Sequence, residues 1–341
     1  MTLFDYIGYK TLDEYDFFAE KYGLPRPPKT LEDVRAYFKK LKEGIRENDP
    51  LAVELGYRIS YGACRPDIWK EHTAAKFIEN FVSSFLKGQL TKSGERPPVE
   101  IPRVPENIAR HLPNYNDFVQ TVRRAALEKT DLYFRETGLR LSLKSLIPQN
   151  QELNVGSFQP RLLFAGFLKV IPEERKGMGS ARRLLILFNQ IKEEGKWELF
   201  LERFKYMVDA IFDNIHFLVL ERHPYPAQKL VVYTIESEKF RNLLKTKAEA
   251  GPEELTSIFY RFELHAMRLR KGPVIEVGEK IEIPLPNYNK SPLLKYINFL
   301  KNEYNKRLLL GKISIDEFKE KVQGATASFL EEIEKMFRKG V

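Results

Sequence analysis

The stretch KTDLYFRETGLRLSLKSL, residues 129–146, decides how the chain reads. Upstream of it the apolar residues recur at helical spacing, and here the period drops to two. Leu139, Leu141 and Leu143 alternate with Arg140, Ser142 and Lys144, so the leucines line one side of a strand and the polar set the other. The preceding DLYF segment reads as a partner strand with Asp131 and Tyr133 on one face. The ETG bend folds that strand back beside the next one. Such a hairpin brings Asp131, Ser142 and Lys144 together, a polar set that a purely structural hairpin does not require.

The surrounding sequence supplies helices on either side. Residues 31–48 and 71–87 carry apolar positions at helical spacing, and Thr30 stands where an N-cap would, with Asp33 at the third helical position. The first ninety residues therefore read as mainly helical. Four prolines and a glycine in residues 90–105 predict an extended connection, and a further helix is expected over 115–128. Beyond the hairpin, residues 181–195 and 197–215 read as helices and 216–235 as two strands joined by a proline-containing turn. Residues 257–285 suggest two or three more strands, and the last fifty residues two amphipathic helices, the second capped by Ser314. The expected fold class is mixed α/β (α+β), a small mixed sheet flanked by helices. The expected organisation is an N-terminal helical region (1–70), a core (71–240), and a β-rich segment with C-terminal helices (241–341), packed as one compact unit.

Composition narrows the function. A chain of 341 residues with 43% hydrophobic and 12% aromatic content can bury a sizeable core. No apolar run approaches the ~18 residues of a membrane span, and the N-terminus lacks a signal-peptide pattern, which predicts a cytoplasmic protein. The single Cys64 excludes an intrachain disulfide and a cysteine-rich zinc site. The histidines at 72, 111, 216, 223 and 265 show no zinc-hydrolase spacing. Lysine and arginine (56) outnumber aspartate and glutamate (47), giving a net charge of +9 that attracts polyanions, nucleic acid first among them.

Hydrolysis of a phosphodiester calls for a hard divalent cation held by oxygen ligands and for a cation that stabilises the developing charge. Asp131 at a strand end and Lys144 on the adjacent strand are of the right types. The phrase TD(x10)SLK resembles the active-site signature of the PD-(D/E)xK nuclease superfamily. The longer run 129–158 is similar to catalytic segments of type II restriction endonucleases, and the resemblance covers roughly residues 70–165. It implies a restriction endonuclease-like core, a Mg2+-dependent double-stranded DNA endonuclease, Asp131 as metal ligand and Lys144 as the catalytic lysine. The resemblance departs at Thr130, where the family has proline, and at Ser142, where the family places a second carboxylate. Glu79, on a helix similar to the family's core helix, and Glu152, just after the catalytic strand, are the candidates to replace it, with Glu79 preferred as the metal ligand. Read without the resemblance, Asp131 is also what a helix-to-strand turn uses, and Lys144 what a solvated sheet face uses.

Further cationic and polar residues are candidates for contact with DNA. Ser157 can cap a helix entering at Pro160, with Arg161 beside its free N–H groups. Arg182 and Arg183 follow a glycine-containing turn that lacks Walker spacing. Arg222, Gln228, Arg268 and Arg270 lie in strand-like segments and are of the types that read base edges. A restriction enzyme further implies a two-fold homodimer and a cognate DNA methyltransferase. The alternatives are a structure-selective repair or recombination nuclease and a non-catalytic DNA-binding protein in which Ser142 is a relic.

Overall fold

The computed structural model describes residues 12–291 apart from 69, 92–96, 156–159, 168–180 and 264–265, together with 314, 316, 317 and 320. Four helices open the chain: α1 (Leu12–Lys21), α2 (Leu31–Arg46), α3 (Pro50–Ala63) and α4 (His72–Leu86). Their boundaries have local causes. Thr30 Oγ1 accepts the Asp33 N–H at 3.1 Å while the Asp33 carboxylate accepts the Thr30 N–H at 2.9 Å, a capping box as the spacing predicts. Asp49 caps α3 ahead of Pro50, whose missing N–H costs nothing in the first turn.

After β1 (Gln89–Leu90) the described part of the proline-rich connection has no regular structure until the short α5 (Glu106–Ala109). Then come α6 (Tyr115–Glu128), β2 (Leu132–Tyr133), β3 (Arg140–Leu146), β4 (Glu152–Asn154), α7 (Pro160–Phe164), α8 (Ala181–Glu193) and α9 (Trp197–Phe212). The chain continues through β5 (His216–His223), β6 (Lys229–Ile235), α10 (Ser237–Glu249), α11 (Pro252–Ile258), β7 (Phe259–Glu263), β8 (Ala266–Arg270), α12 (Lys271–Glu276) and β9 (Glu279–Pro284). Residues 274–276, which the alternation of the sequence assigns to a strand, belong to a helical turn instead. The C-terminal helices lie outside the described residues, although Ser314 Oγ accepts the Glu317 N–H at 3.1 Å, as its capping role predicts.

Six strands form one mixed sheet in the order β1-β2-β3-β5-β6-β9, drawing on residues 89 to 284, and β4-β8-β7 form a second, antiparallel sheet. In the larger sheet β3 and β5 are parallel and the other neighbours antiparallel. A parallel pair needs a long crossover, here the chain from β4 to α9.

Alternation sorts the large sheet into two buried faces. Leu141, Leu143, Leu218, Leu220, Val232 and Ile283 pack with the aromatic cluster of α1–α4, where Phe85 touches Tyr15, Phe18, Tyr37, Phe38 and Phe81. Phe217, Val219, Val231, Tyr233 and Ile235 pack on the other side with residues of α6, α8, α9, α10 and α11. Burial on both faces is why β5 and β6 read as continuous apolar runs. No helix among the described residues is long and apolar enough to cross a membrane.

Candidate active site

Helix α6 runs almost directly into the large sheet, and Asp131 is the last residue of the three-residue link before β2. Its N–H donates to the Leu141 carbonyl at 2.9 Å, and Leu132 pairs with Leu141, so Asp131 stands opposite Ser142. Behind it the bend closes through Gly138, whose φ of +74° favours glycine and whose N–H donates to the Phe134 carbonyl at 2.8 Å.

The side chains meet as the sequence predicts. Asp131 Oδ2 accepts from Ser142 Oγ at 3.1 Å, from the Leu143 backbone N–H at 2.9 Å and from Lys144 Nζ at 3.1 Å. The Asp131 and Lys144 side chains keep 22% and 19% of their accessibility, so the pair is sheltered yet reachable. All three bonds fall on one carboxylate oxygen, and Oδ1 takes none of them. An oxygen gripped by three donors, one of them backbone, is fixed in orientation.

A second lysine belongs to this centre. Lys129, 9% exposed, caps α6 and donates from Nζ to the Val155 carbonyl. Burial pushes its pKa down to about 7, with the charge of Lys144 adding to the fall and Asp131 and Glu128 opposing it. The sequence signal for Lys129 was its place two residues before Asp131; its burial could not be read from the sequence, because it rests on β4 folding back over the end of α6.

The proposed second carboxylates are not part of the cluster. Glu79 is carried by α4, which packs through Phe77, Ile78, Phe81, Val82 and Phe85 with Leu141 and Leu143. That is the sheet face opposite Ser142 and Lys144, so the preferred metal-ligand assignment of Glu79 is corrected. Glu152, in β4, is engaged in the second sheet: Arg261 meets its carboxylate through Nε and Nη2, each at 3.0 Å, and Arg268 through Nη1. Its assignment to the catalytic set is likewise corrected, because two guanidiniums already neutralise it. Among the described residues no group of three or more His, Cys, Asp or Glu is arranged to hold a metal ion.

Along the same sheet face, Glu221 lies opposite Leu146 and is held by Lys271 Nζ at 2.8 Å and His223 Nε2 at 2.7 Å. Burial alone would raise the Glu221 pKa, but these partners hold it below the usual carboxylate range. Lys271 also donates to the Pro148 carbonyl at 3.0 Å, tying the start of α12 to the turn that leaves β3.

The candidate DNA contacts divide. Arg222 is 4% exposed and donates to the Ala63 carbonyl at 3.2 Å, with burial drawing its pKa down. Gln228 donates to Ser60 Oγ at 2.5 Å and to the Pro286 carbonyl at 3.0 Å. Both tie the β5–β6 hairpin to neighbouring segments, so their assignment to base readout is corrected: a side chain spent inside the protein cannot reach a groove. Arg182 and Arg183 are exposed at the start of α8, and Arg270 is exposed with its guanidinium 5.8 Å from the centre of the Tyr260 ring. Ser157 lies outside the described residues, as does the glycine turn before Arg182, and so does the side chain of Arg161 on α7. No family model, characterised protein or solved structure matches the chain.

Proposed function

We propose that the protein is a Mg2+-dependent, site-specific double-stranded DNA endonuclease of restriction type, built on a PD-(D/E)xK-like core. One observation carries the reading: a carboxylate and an ammonium from paired strands converge, 3.1 Å apart and partly open, with a fixing hydroxyl and backbone N–H beside them. The excess of 56 basic over 47 acidic side chains supplies the attraction for a polyanion.

A single carboxylate does not cage a divalent cation. It fits Mg2+ shared with a substrate phosphate and water, the usual manner for this ion, through Asp131 Oδ1. When bound, the ion polarises the phosphoryl oxygen and makes the attacking water more acidic. The chain's own residues do the rest. Ser142 and the Leu143 N–H hold the Asp131 carboxylate in one orientation, and Lys144, now paired with Asp131, stands ready to neutralise charge developing on the phosphate oxygens. A palindromic target would call for a two-fold dimer with one centre per strand, and restriction would call for a companion methyltransferase to protect host DNA.

A non-catalytic DNA-binding protein is favoured by one specific observation: Ser142 stands where the resemblance calls for a carboxylate, and no group of three or more His, Cys, Asp or Glu among the described residues is arranged to hold a metal ion. Incubation of plasmid DNA with the protein and Mg2+ separates the readings. Discrete fragments support the restriction reading, cutting confined to branched substrates supports a structure-selective nuclease, and binding without cutting supports the non-catalytic one.

A further inference from the structure

The small sheet presents an outward face whose charge is unusual for a structural surface. Leu153, Leu269 and Phe259 point into the core, and the alternation puts Glu152, Asn154, Arg268 and Arg270 on the other side. In register, Arg261 pairs directly with Arg268 across β7 and β8, while Glu152 pairs with Arg270 and Asn154 with Arg268. Two like charges directly opposite one another on a sheet destabilise it. Here the Glu152 carboxylate sits between the two guanidiniums and offsets the repulsion, with Arg261 keeping 40% of its side-chain accessibility. Arg270 beside Tyr260 extends the positive face.

A planar guanidinium fork matches a carboxylate and a phosphate with the same geometry. We infer that Arg261 and Arg268 form a clamp for a DNA backbone phosphate, in which Glu152 stands in for the phosphate until the duplex displaces it. The clamp also has a position relative to the candidate centre. From Glu152 through β4 to Val155 just beyond it, whose carbonyl takes the Lys129 ammonium, is three residue steps, about 10 Å at ~3.3 Å per residue. This inference rests on the nuclease reading for its substrate but makes a separate prediction about binding.

The test is the salt dependence of duplex binding, read by fluorescence anisotropy of a labelled oligonucleotide duplex with the full-length protein and EDTA, so that no cutting intervenes. Each phosphate contact contributes about 0.9 to the slope of log affinity against log salt. Arg261→Ala with Arg268→Ala removes one phosphate contact and is expected to lower the magnitude of that slope by about 0.9. Glu152→Gln is expected to raise affinity several-fold. Thermal melts establish that each variant is folded; if the double variant is not, the single variant Arg261→Ala and Glu152→Gln decide the matter. Unchanged slopes in the arginine variants together with unchanged affinity in Glu152→Gln overturn the clamp. A wild-type protein that cuts DNA while those slopes stay flat refutes the clamp alone; one that binds with the expected slopes but never cuts refutes the nuclease and keeps the clamp.

Discussion

Lys129 offers a quantitative test of the centre's electrostatics in the metal-free protein. Replacing it with Met keeps the length and volume of the side chain while removing the charge. Burial, aided by Lys144, brings the lysine to about 7 from an ordinary value of 10.5. Between those two pH values the unfolded chain binds a proton that the folded protein does not, so wild-type stability rises with pH across the window. The lysine's penalty is present in full below about pH 7 and has faded by about pH 10.5. At ~1.4 kcal/mol per pH unit, the difference between Lys129→Met and wild type should change by a few kcal/mol over the window, the variant gaining most at the acid end. Loss of the donor to the Val155 carbonyl costs the variant about 1–3 kcal/mol, but that cost does not vary with pH. Urea unfolding in EDTA at a series of pH values from about 6 to 10 reads the difference directly. Parallel stability profiles for the two proteins would refute the placement of a buried, charge-strained lysine beside Lys144.

Three further outcomes probe the scaffold that holds the site. Burial pushes the Cys64 thiol up to about 12, so a thiol reagent at neutral pH should modify it only as fast as the protein opens, and addition of urea should raise the rate steeply. A Cβ at Gly62 would stand 2.4 Å from the Phe77 ring, so Gly62→Ala should cost about 1–3 kcal/mol in chemical denaturation by pushing α4 off α3. Thr30→Ala removes one half of the capping box at the start of α2 and should cost about 1 kcal/mol in the same assay, whereas Thr30→Ser should cost little.

The sequence carried local structure wherever one physical rule dominated. The cap at Thr30 and Asp33, the period change at Leu139–Lys144 and the hairpin closed at Gly138 were all legible, and with them the meeting of Asp131, Ser142 and Lys144. Reading failed where a side chain's fate depends on distant packing. Arg222 and Gln228 look like exposed strand cations and polars, but Arg222 lies in a sheet covered on both faces and Gln228 in the β5–β6 turn packed on neighbouring segments, so they turn to the Ala63 and Pro286 carbonyls. Glu79 looks like a ligand because its helix lies beside β3; the strand's alternation then puts the helix and the candidate site on opposite faces. Residues 274–276 open an apolar alternation yet lie in a helical turn, with Pro273 within its first turn. The pairing of Glu152 with Arg261 spans more than a hundred residues of chain, and no local pattern announces it.

The central claim is that Asp131 and Lys144 together cleave a phosphodiester. Single-turnover cleavage of a duplex fragment that the wild type cuts, in Mg2+ and with protein in excess, tests it most directly. Asp131→Asn and Lys144→Ala are each predicted to lower the cleavage rate by at least about 100-fold, the scale of a lost charge-stabilising group, while binding the same duplex with affinity within a few-fold of wild type. Cleavage at the wild-type rate by either folded variant would contradict the account.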